Sequence, residues 1–317
     1  MSAAIRHNRW WIYQRERFPV FGNGLLIAAF SFSAVSFSTL LRTPAQAAVE
    51  LPPLPAFAVA LITAFLFFLQ LRIADEFKDF DEDSRYRPYR PVPRGLIKLR
   101  ELAVVGLLAG FLQLVAGLLL NPALLGILLT VWLYLALMSK EFFVRDWIKR
   151  RPVTYLWTHM LIMPLIDFYA TACDWLPATG KPPSGLFWFL MVSFFNGVVI
   201  EIGRKLRAPQ DEEPGVDTYT ALWGRKAALA AWFGALAFTA FSAVMAAHRI
   251  GFSSVVLSVL LVLLLPALLL CRRFARTPDS RLGKLFELYS GLWTLLMYLS
   301  LGIIPLAWRL ATTAAGG

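Results

Sequence analysis

Nine long apolar stretches run through this chain, at residues 20–41, 54–74, 99–119, 122–143, 153–175, 185–203, 226–247, 252–271 and 286–308. A helix needs roughly 20 mostly apolar residues to cross a bilayer, and only a helix or a closed barrel satisfies its own backbone there. The sequence therefore predicts an all-α polytopic membrane protein with nine transmembrane helices over residues 18–309. Residues 1–17 form a cytosolic segment before them, and 310–317 a short tail after. The third and fourth stretches are joined by Leu120 to Pro122 and the seventh and eighth by His248 to Gly251, so each pair runs antiparallel.

The basic residues set the orientation, since cytosolic connections collect Lys and Arg. Of the 31 Lys and Arg, only Arg42, Lys181, Arg249 and Arg309 fall in one set of connections; all the others, from Arg6 to Lys284, fall in the alternate set and at the N-terminus. This places the N-terminus in the cytosol and the C-terminus outside. The formal net charge is +11. The charges lie between apolar runs and form no separate basic domain, which argues for membrane orientation and against nucleic-acid binding. Cys173 and Cys271 lie in or beside apolar stretches and read as small buried hydrophobes, with no disulfide framework or zinc spacing. The opening MSAAIRHNRWWIYQRERF is basic and aromatic, unlike a cleavable signal.

The acidic residues are uneven too. Most sit in two cytosolic connections, after the second and sixth stretches, four helices apart, a spacing that hints at an old duplication. The first reads Asp75-Glu76-Phe-Lys78-Asp79-Phe-Asp81-Glu82-Asp83. On a helix Asp75, Asp79 and Asp83 stack at four-residue spacing, with Glu76 and Glu82 beside them and Asp81 pointing away. Crowded carboxylates repel, so the stripe needs basic side chains or hard divalent cations to neutralise it. Its position directly at the end of an apolar helix favours function over a merely solvated face. The proline-rich loop that follows, Ser84 to Gly95, carries arginines able to clamp phosphate oxygens or simply to fix topology.

These residues resemble the UbiA superfamily of intramembrane prenyltransferases. Asp75-Glu76-x-x-Asp79-x-x-x-Asp83 is similar to the family's acidic stretch closing the second helix, and Arg90-Pro91-Val92-Pro93-Arg94-Gly95 to its R-P-x-P loop. Asp75 stands where the family has Asn and Glu76 where it has Asp; both keep oxygen ligands. Arg15 and Pro19 resemble the R-x-x-x-P entry to the first helix. The second motif is degenerate. Glu201, Asp211 and Gly215-Val216-x-Thr218 fit it with one residue missing, but Arg204, Lys205 and Arg207 stand where aspartates are usual. One metal at the first motif, with Arg204 and Lys205 giving charge directly to phosphate, is the expectation; Glu201 paired locally with the same two cations is its alternative.

The resemblance implies a central cavity and transfer of an isoprenoid group from a prenyl diphosphate to a small-molecule or lipid acceptor, with release of diphosphate, in the bilayer and facing the cytosol. It implies magnesium or manganese held by Asp75, Glu76, Asp79, Asp83, Glu201 and Asp211. The substrate is expected on Arg15, Arg90, Lys140, Arg204, Lys205 and Asn196, with Asp79, Asp83 and Lys140 nearest the chemistry. A terpene cyclase on the same scaffold and, from another class, a membrane cation transporter are the competing readings; transporters more often place their acids near the midplane. His159 and Asp167, inside the fifth stretch, read equally as acceptor-orienting or as satisfied polar groups. Phe187, Trp188, Phe194 and Phe195 are candidates for lining an isoprenoid cavity, where ring faces stabilise a cation.

Overall fold

The computed structural model describes residues 8–44 and 47–315, so Arg6 and the ends of the two terminal segments lie outside the described residues. The described chain is built of helices, with no strand among its residues. In order these are α1 (Arg9–Arg17), α2 (Val20–Arg42), α3 (Leu54–Lys78), α4 (Phe80–Tyr86), α5 (Leu99–Leu120), α6 (Leu124–Ser139), α7 (Arg145–Lys149), α8 (Pro152–Met160), α9 (Ile162–Thr179), α10 (Leu186–Gly203), α11 (Tyr219–Trp223), α12 (Arg225–Arg249), α13 (Ser253–Arg276), α14 (Ser280–Leu301) and α15 (Ile303–Ala315).

Seven helical segments among the described residues are long and apolar enough to cross a membrane: α2, α3, α5, α10, α12, α13 and the run from Ser280 to Thr313. The other two expected stretches are shorter. Residues 122–143 contain the 16-residue α6. Residues 153–175 divide into α8 and α9 at Leu161, three residues before Pro164, which lies inside the first turn of α9. The Ser280–Thr313 run is itself interrupted at Gly302, where only glycine fits, since a Cβ would overlap the backbone of Ser33 in α2.

Helices that follow one another in sequence pack side by side, and α14 returns to pack on both α2 and α10. The innermost walls are α2 and α10, each 67% buried over its apolar window, whereas α5 is only 22% buried. The sequence explains the difference. The inner face of α2 carries Ala29, Ser31, Ser33, Ala34, Ser36 and Ser38, all buried. Small residues let helix backbones approach where no hydrophobic drive separates lipid from protein. The outer helix α5 instead shows Leu107, Leu108, Phe111, Leu112 and Leu119.

The end of the bundle away from the acidic motifs is tied by one buried ion pair. Asp174 of α9 accepts from Arg42 at 2.6 and 2.9 Å and from Thr39 at 3.0 Å, joining α9 to α2. Breaking a buried pair strands a charge. Asp174→Ala is expected to destabilise the bundle by about 3 kcal/mol, read as a lowered melting temperature in detergent; an unchanged melting temperature contradicts this role.

Candidate active site

At the opposite end, α3 runs into α4 through a slight bend at Asp79, yet the helical bonding continues. Asp79 N–H donates to Asp75 at 2.9 Å and Asp83 N–H to Asp79 at 2.8 Å. The stacked carboxylates of the sequence pattern are therefore present, but their side chains divide between two sides.

On one side, basic groups claim them. Glu76 is buried and accepts from Arg17 Nε at 2.5 Å. Asp83 is buried and paired with Arg87 at 2.7 Å, Arg90 at 2.6 Å and, more distantly, Arg17 at 3.9 Å. These arginines arrive on stiff supports. The loop after α4 turns at Gly95, whose positive φ of 77° suits a residue without a side chain. It then buries Val92, Leu96 and Ile97 against Tyr13 of α1, Ile73 of α3 and Leu102 of α5 as a small second core. On the flank, Glu82 pairs with Lys149 at 2.5 Å and Arg145 at 3.5 Å, and the Lys149 hydrogen bond holds its carboxyl below the ordinary value.

The inner side is different. Asp75 is half-buried and contacts Arg72 at 2.5 Å and Lys78 at 4.0 Å. Asp79 makes no ion pair within 4.0 Å among the described residues. Burial pushes its carboxyl above the ordinary value; Lys78 pulls it down, while Asp75, Asp83 and Glu82 push it up. Facing this pair is the end of α10. Glu201, buried, is held by Arg204 at 2.5 Å and Lys205 at 2.8 Å, and the charges of Arg204 and Glu201 reach Asp75. Glu201 first, then Asp75, hold the Arg204 guanidinium firmly protonated. Lys205 Nζ lies 5.7 Å from the ring centre of Tyr219.

A third wall escapes the sequence motifs. Glu141, Phe142 and Phe143 follow α6 with φ of 49°, 53° and 60°, a left-handed turn built without glycine. That turn sends Glu141 inward, where it is 2% exposed, beside Lys78 at 3.5 Å and His159 at 3.3 Å. Lys78 also donates to the Tyr155 hydroxyl at 2.8 Å, and the Tyr155 ring stacks on His159 at 3.8 Å.

Several expected residues occupy other places. Arg15 is exposed, and Arg17, two positions on, takes the inward place. Lys140 is exposed, and its neighbour Glu141 turns in. Arg90 binds Asp83. Asp211 accepts from Ser280 at 2.7 Å in a groove with Arg207, Lys284 and Glu287. Asn196 is buried on α10, before Glu201 in the chain. Asp167 is fully buried. The six carboxylates expected to share in metal binding are thus not gathered; no group of three or more His, Cys, Asp or Glu side chains is placed to hold a metal among the described residues. The physical reason is the arginine layer, which neutralises Glu76 and Asp83 before a cation can.

The profile of the UbiA prenyltransferase family matches residues 34–296. The chain belongs to that family. Its fold is similar to a UbiA homolog from Aeropyrum pernix K1, with a TM-score of 0.65 at 14% identity over 86% of this chain and 96% of that one. It is similar to a digeranylgeranylglyceryl phosphate synthase, with a TM-score of 0.58 at 15% identity over 96% and 99%. It is also similar to a UbiA homolog from Archaeoglobus fulgidus bound to GPP and Mg2+, with a TM-score of 0.56 at 14% identity over 91% and 98%. Among curated proteins no sequence matches.

Arg17 is the keystone of the neutralising layer. Arg17→Ala is expected to cost about 3 kcal/mol or more by stranding Glu76, whereas Arg15→Ala shifts stability by less than about 0.5 kcal/mol. Thermal unfolding of the two variants side by side checks the contrast, and equal effects contradict it.

Proposed function

We propose that this chain is an intramembrane prenyltransferase that moves an isoprenoid group from a prenyl diphosphate to a lipophilic acceptor and releases diphosphate. Its active site opens towards the cytosol, the side to which the basic connections belong. Family membership supports the reaction class. The observation that carries the reading is that the Glu201 and Arg204 charges at the end of α10 reach Asp75, one turn before an Asp79 that makes no ion pair among the described residues.

The donor set fits a hard divalent cation. Asp79 is an oxygen donor crowded by carboxylates and free of an ion-pair partner among the described residues, and Asp75 stands one turn before it. Magnesium or manganese suits two such carboxylates, leaving the rest of the shell to water and phosphate oxygens. When bound, it neutralises the diphosphate as that group departs. Glu76 and Asp83 act one layer out: with Arg17, Arg87 and Arg90 they fix the end of α3 and the loop behind it. Arg204 and Lys205 hold the diphosphate from the other side, doing by direct charge what aspartates do through metal in the usual second motif. Arg204 presents the fork geometry that matches phosphate oxygens, and Lys205 a mobile point charge.

The test is turnover of geranylgeranyl diphosphate by purified protein with magnesium and, in turn, a hydroxybenzoic acid, a dihydroxynaphthoic acid and a glyceryl ether phosphate. Acceptor-dependent release of diphosphate, abolished by a chelator and restored by magnesium, is expected. Release without acceptor, giving a cyclic hydrocarbon, favours cyclisation. Cation flux in liposomes without turnover contradicts the proposal.

Asp79→Ala is expected to lower kcat about a thousandfold, some ~4 kcal/mol of transition-state stabilisation, with the melting temperature preserved; activity like wild type removes Asp79 from the site. Lys205→Ala is expected to weaken diphosphate binding about tenfold, ~1.4 kcal/mol, while the affinity for manganese alone stays the same. Calorimetry giving unchanged diphosphate affinity contradicts the role of Lys205.

A further inference from the structure

Any prenyl transfer to a neutral acceptor, like any cyclisation that ends in an alkene, must also dispose of a proton. The groups already described are engaged: Asp75 and Asp79 in cation binding, Glu201 between Arg204 and Lys205. One further carboxylate stands beside them. Lys78 Nζ links the two places, 4.0 Å from Asp75 Oδ1 and 3.5 Å from Glu141 Oε1. We propose that Glu141 is the catalytic proton acceptor of this enzyme, taking the proton that the acceptor sheds after its bond to the isoprenoid forms. This rests on the prenyltransferase reading above.

Three observations carry the assignment. The first is conformational. Glu141, Phe142 and Phe143 hold φ of 49°, 53° and 60° in succession. The left-handed conformation costs an L-residue about 1–2 kcal/mol at each position, and such strain concentrates at functional sites. Here its result is specific: Glu141 turns inward, while the adjacent Lys140 and Phe143 face out.

The second is the carboxylate's surroundings. Glu141 is 2% exposed, faced by Lys78 from α3 and by Tyr155 and His159 from α8. Neither of its oxygens has a hydrogen bond of good geometry among the described residues. A purely structural buried carboxylate satisfies both oxygens; catalytic hydrogen bonds tighten only when the reactants are present. Burial opposes the charge on Glu141, but the contacts from His159 and Lys78 outweigh it and hold the carboxyl below its ordinary value.

The third is the orientation of His159. Its Nδ1 lies 2.8 Å from the Tyr155 carbonyl, which only accepts, so Nδ1 donates there. That bond and the stacked Tyr155 ring fix the imidazole, whose Nε2 lies 3.3 Å from Glu141 Oε2 without hydrogen-bond geometry. His159 is a positioning residue for the carboxylate.

The step balances. The C1–O bond of the prenyl diphosphate breaks and diphosphate leaves with the electron pair. The acceptor's lone pair or π pair forms the new bond to C1, giving a cationic adduct, oxonium or arenium. That adduct is a strong acid, so a carboxylate of low basicity suffices. Its proton passes to Glu141, which becomes a carboxylic acid and returns the proton to water on product release.

The test compares Glu141→Gln with wild type in the turnover assay above, using whichever acceptor probe wild type accepts. Expected for Glu141→Gln is a fall in kcat of about a hundredfold or more. Binding of a non-hydrolysable geranylgeranyl diphosphate analogue with magnesium should stay within about twofold of wild type. The decline of wild-type kcat as pH falls, when the Glu141 carboxylate protonates, should be missing from the variant's profile. Formate added to Glu141→Ala should restore part of the rate. Unchanged kcat and an unchanged acid limb overturn the proposal, and so does loss of analogue binding in step with turnover. Where Glu141→Gln does not fold, Glu141→Asp decides. Withdrawing the carboxylate by one methylene should lower kcat at intact binding, and full activity overturns the assignment. If wild type prenylates no probe, the reaction itself is wrong. If wild type prenylates and Glu141→Gln does so equally, only the role of Glu141 is.

Discussion

The structure turns on how negative charge is shared out at the end of α3. Carboxylates at four-residue spacing repel, and each must be neutralised by something. Arginines from α1 and from the stiff loop after α4 reach Glu76 and Asp83 first. Lys149 and Arg145 take Glu82. What remains on the inner side is Asp75, shared with Arg72 and Lys78, and Asp79 with no ion-pair partner among the described residues. On the proposed reading, that residual demand for positive charge, with the basic end of α10 beside Asp75, is what a cation and a diphosphate together would meet.

The degenerate second motif belongs to the same balance. A wall of aspartates opposite Asp75 would call for a second cation. Arg204 and Lys205 bring that charge as side chains and hold Glu201 between them. Covalently attached cations are always present and cannot be chelated away. They also cannot exchange with solvent.

The sequence makes the architecture legible because its signal is coarse: apolar runs near membrane thickness, basic connections alternating between sides, and acids where α3 and α10 end. It is less informative where length or side-chain direction decides. The fifth stretch is apolar throughout, yet the chain breaks at Leu161. Helical periodicity correctly stacks Asp75, Asp79 and Asp83, but it does not say which of them an arginine from a distant segment will claim. The R-x-x-x-P pattern points to Arg15, whereas the turn of α1 brings Arg17 inward. Likewise the basic loop after α6 draws the eye to Lys140, while a left-handed turn no propensity foretells delivers Glu141. The available signal was an acid, Glu141, beside the expected base, together with a histidine within the fifth stretch.

The proposed function places the divalent cation on Asp75 and Asp79, not on the other acids. A structure of the protein with manganese and a non-hydrolysable prenyl diphosphate, read by the metal's anomalous scattering, tests it directly. The account predicts a peak contacted by Asp75 and Asp79 with the diphosphate bridging to Arg204 and Lys205. A peak at Glu76 and Asp83, with Arg17 and Arg90 displaced, or one at Asp211, would contradict it.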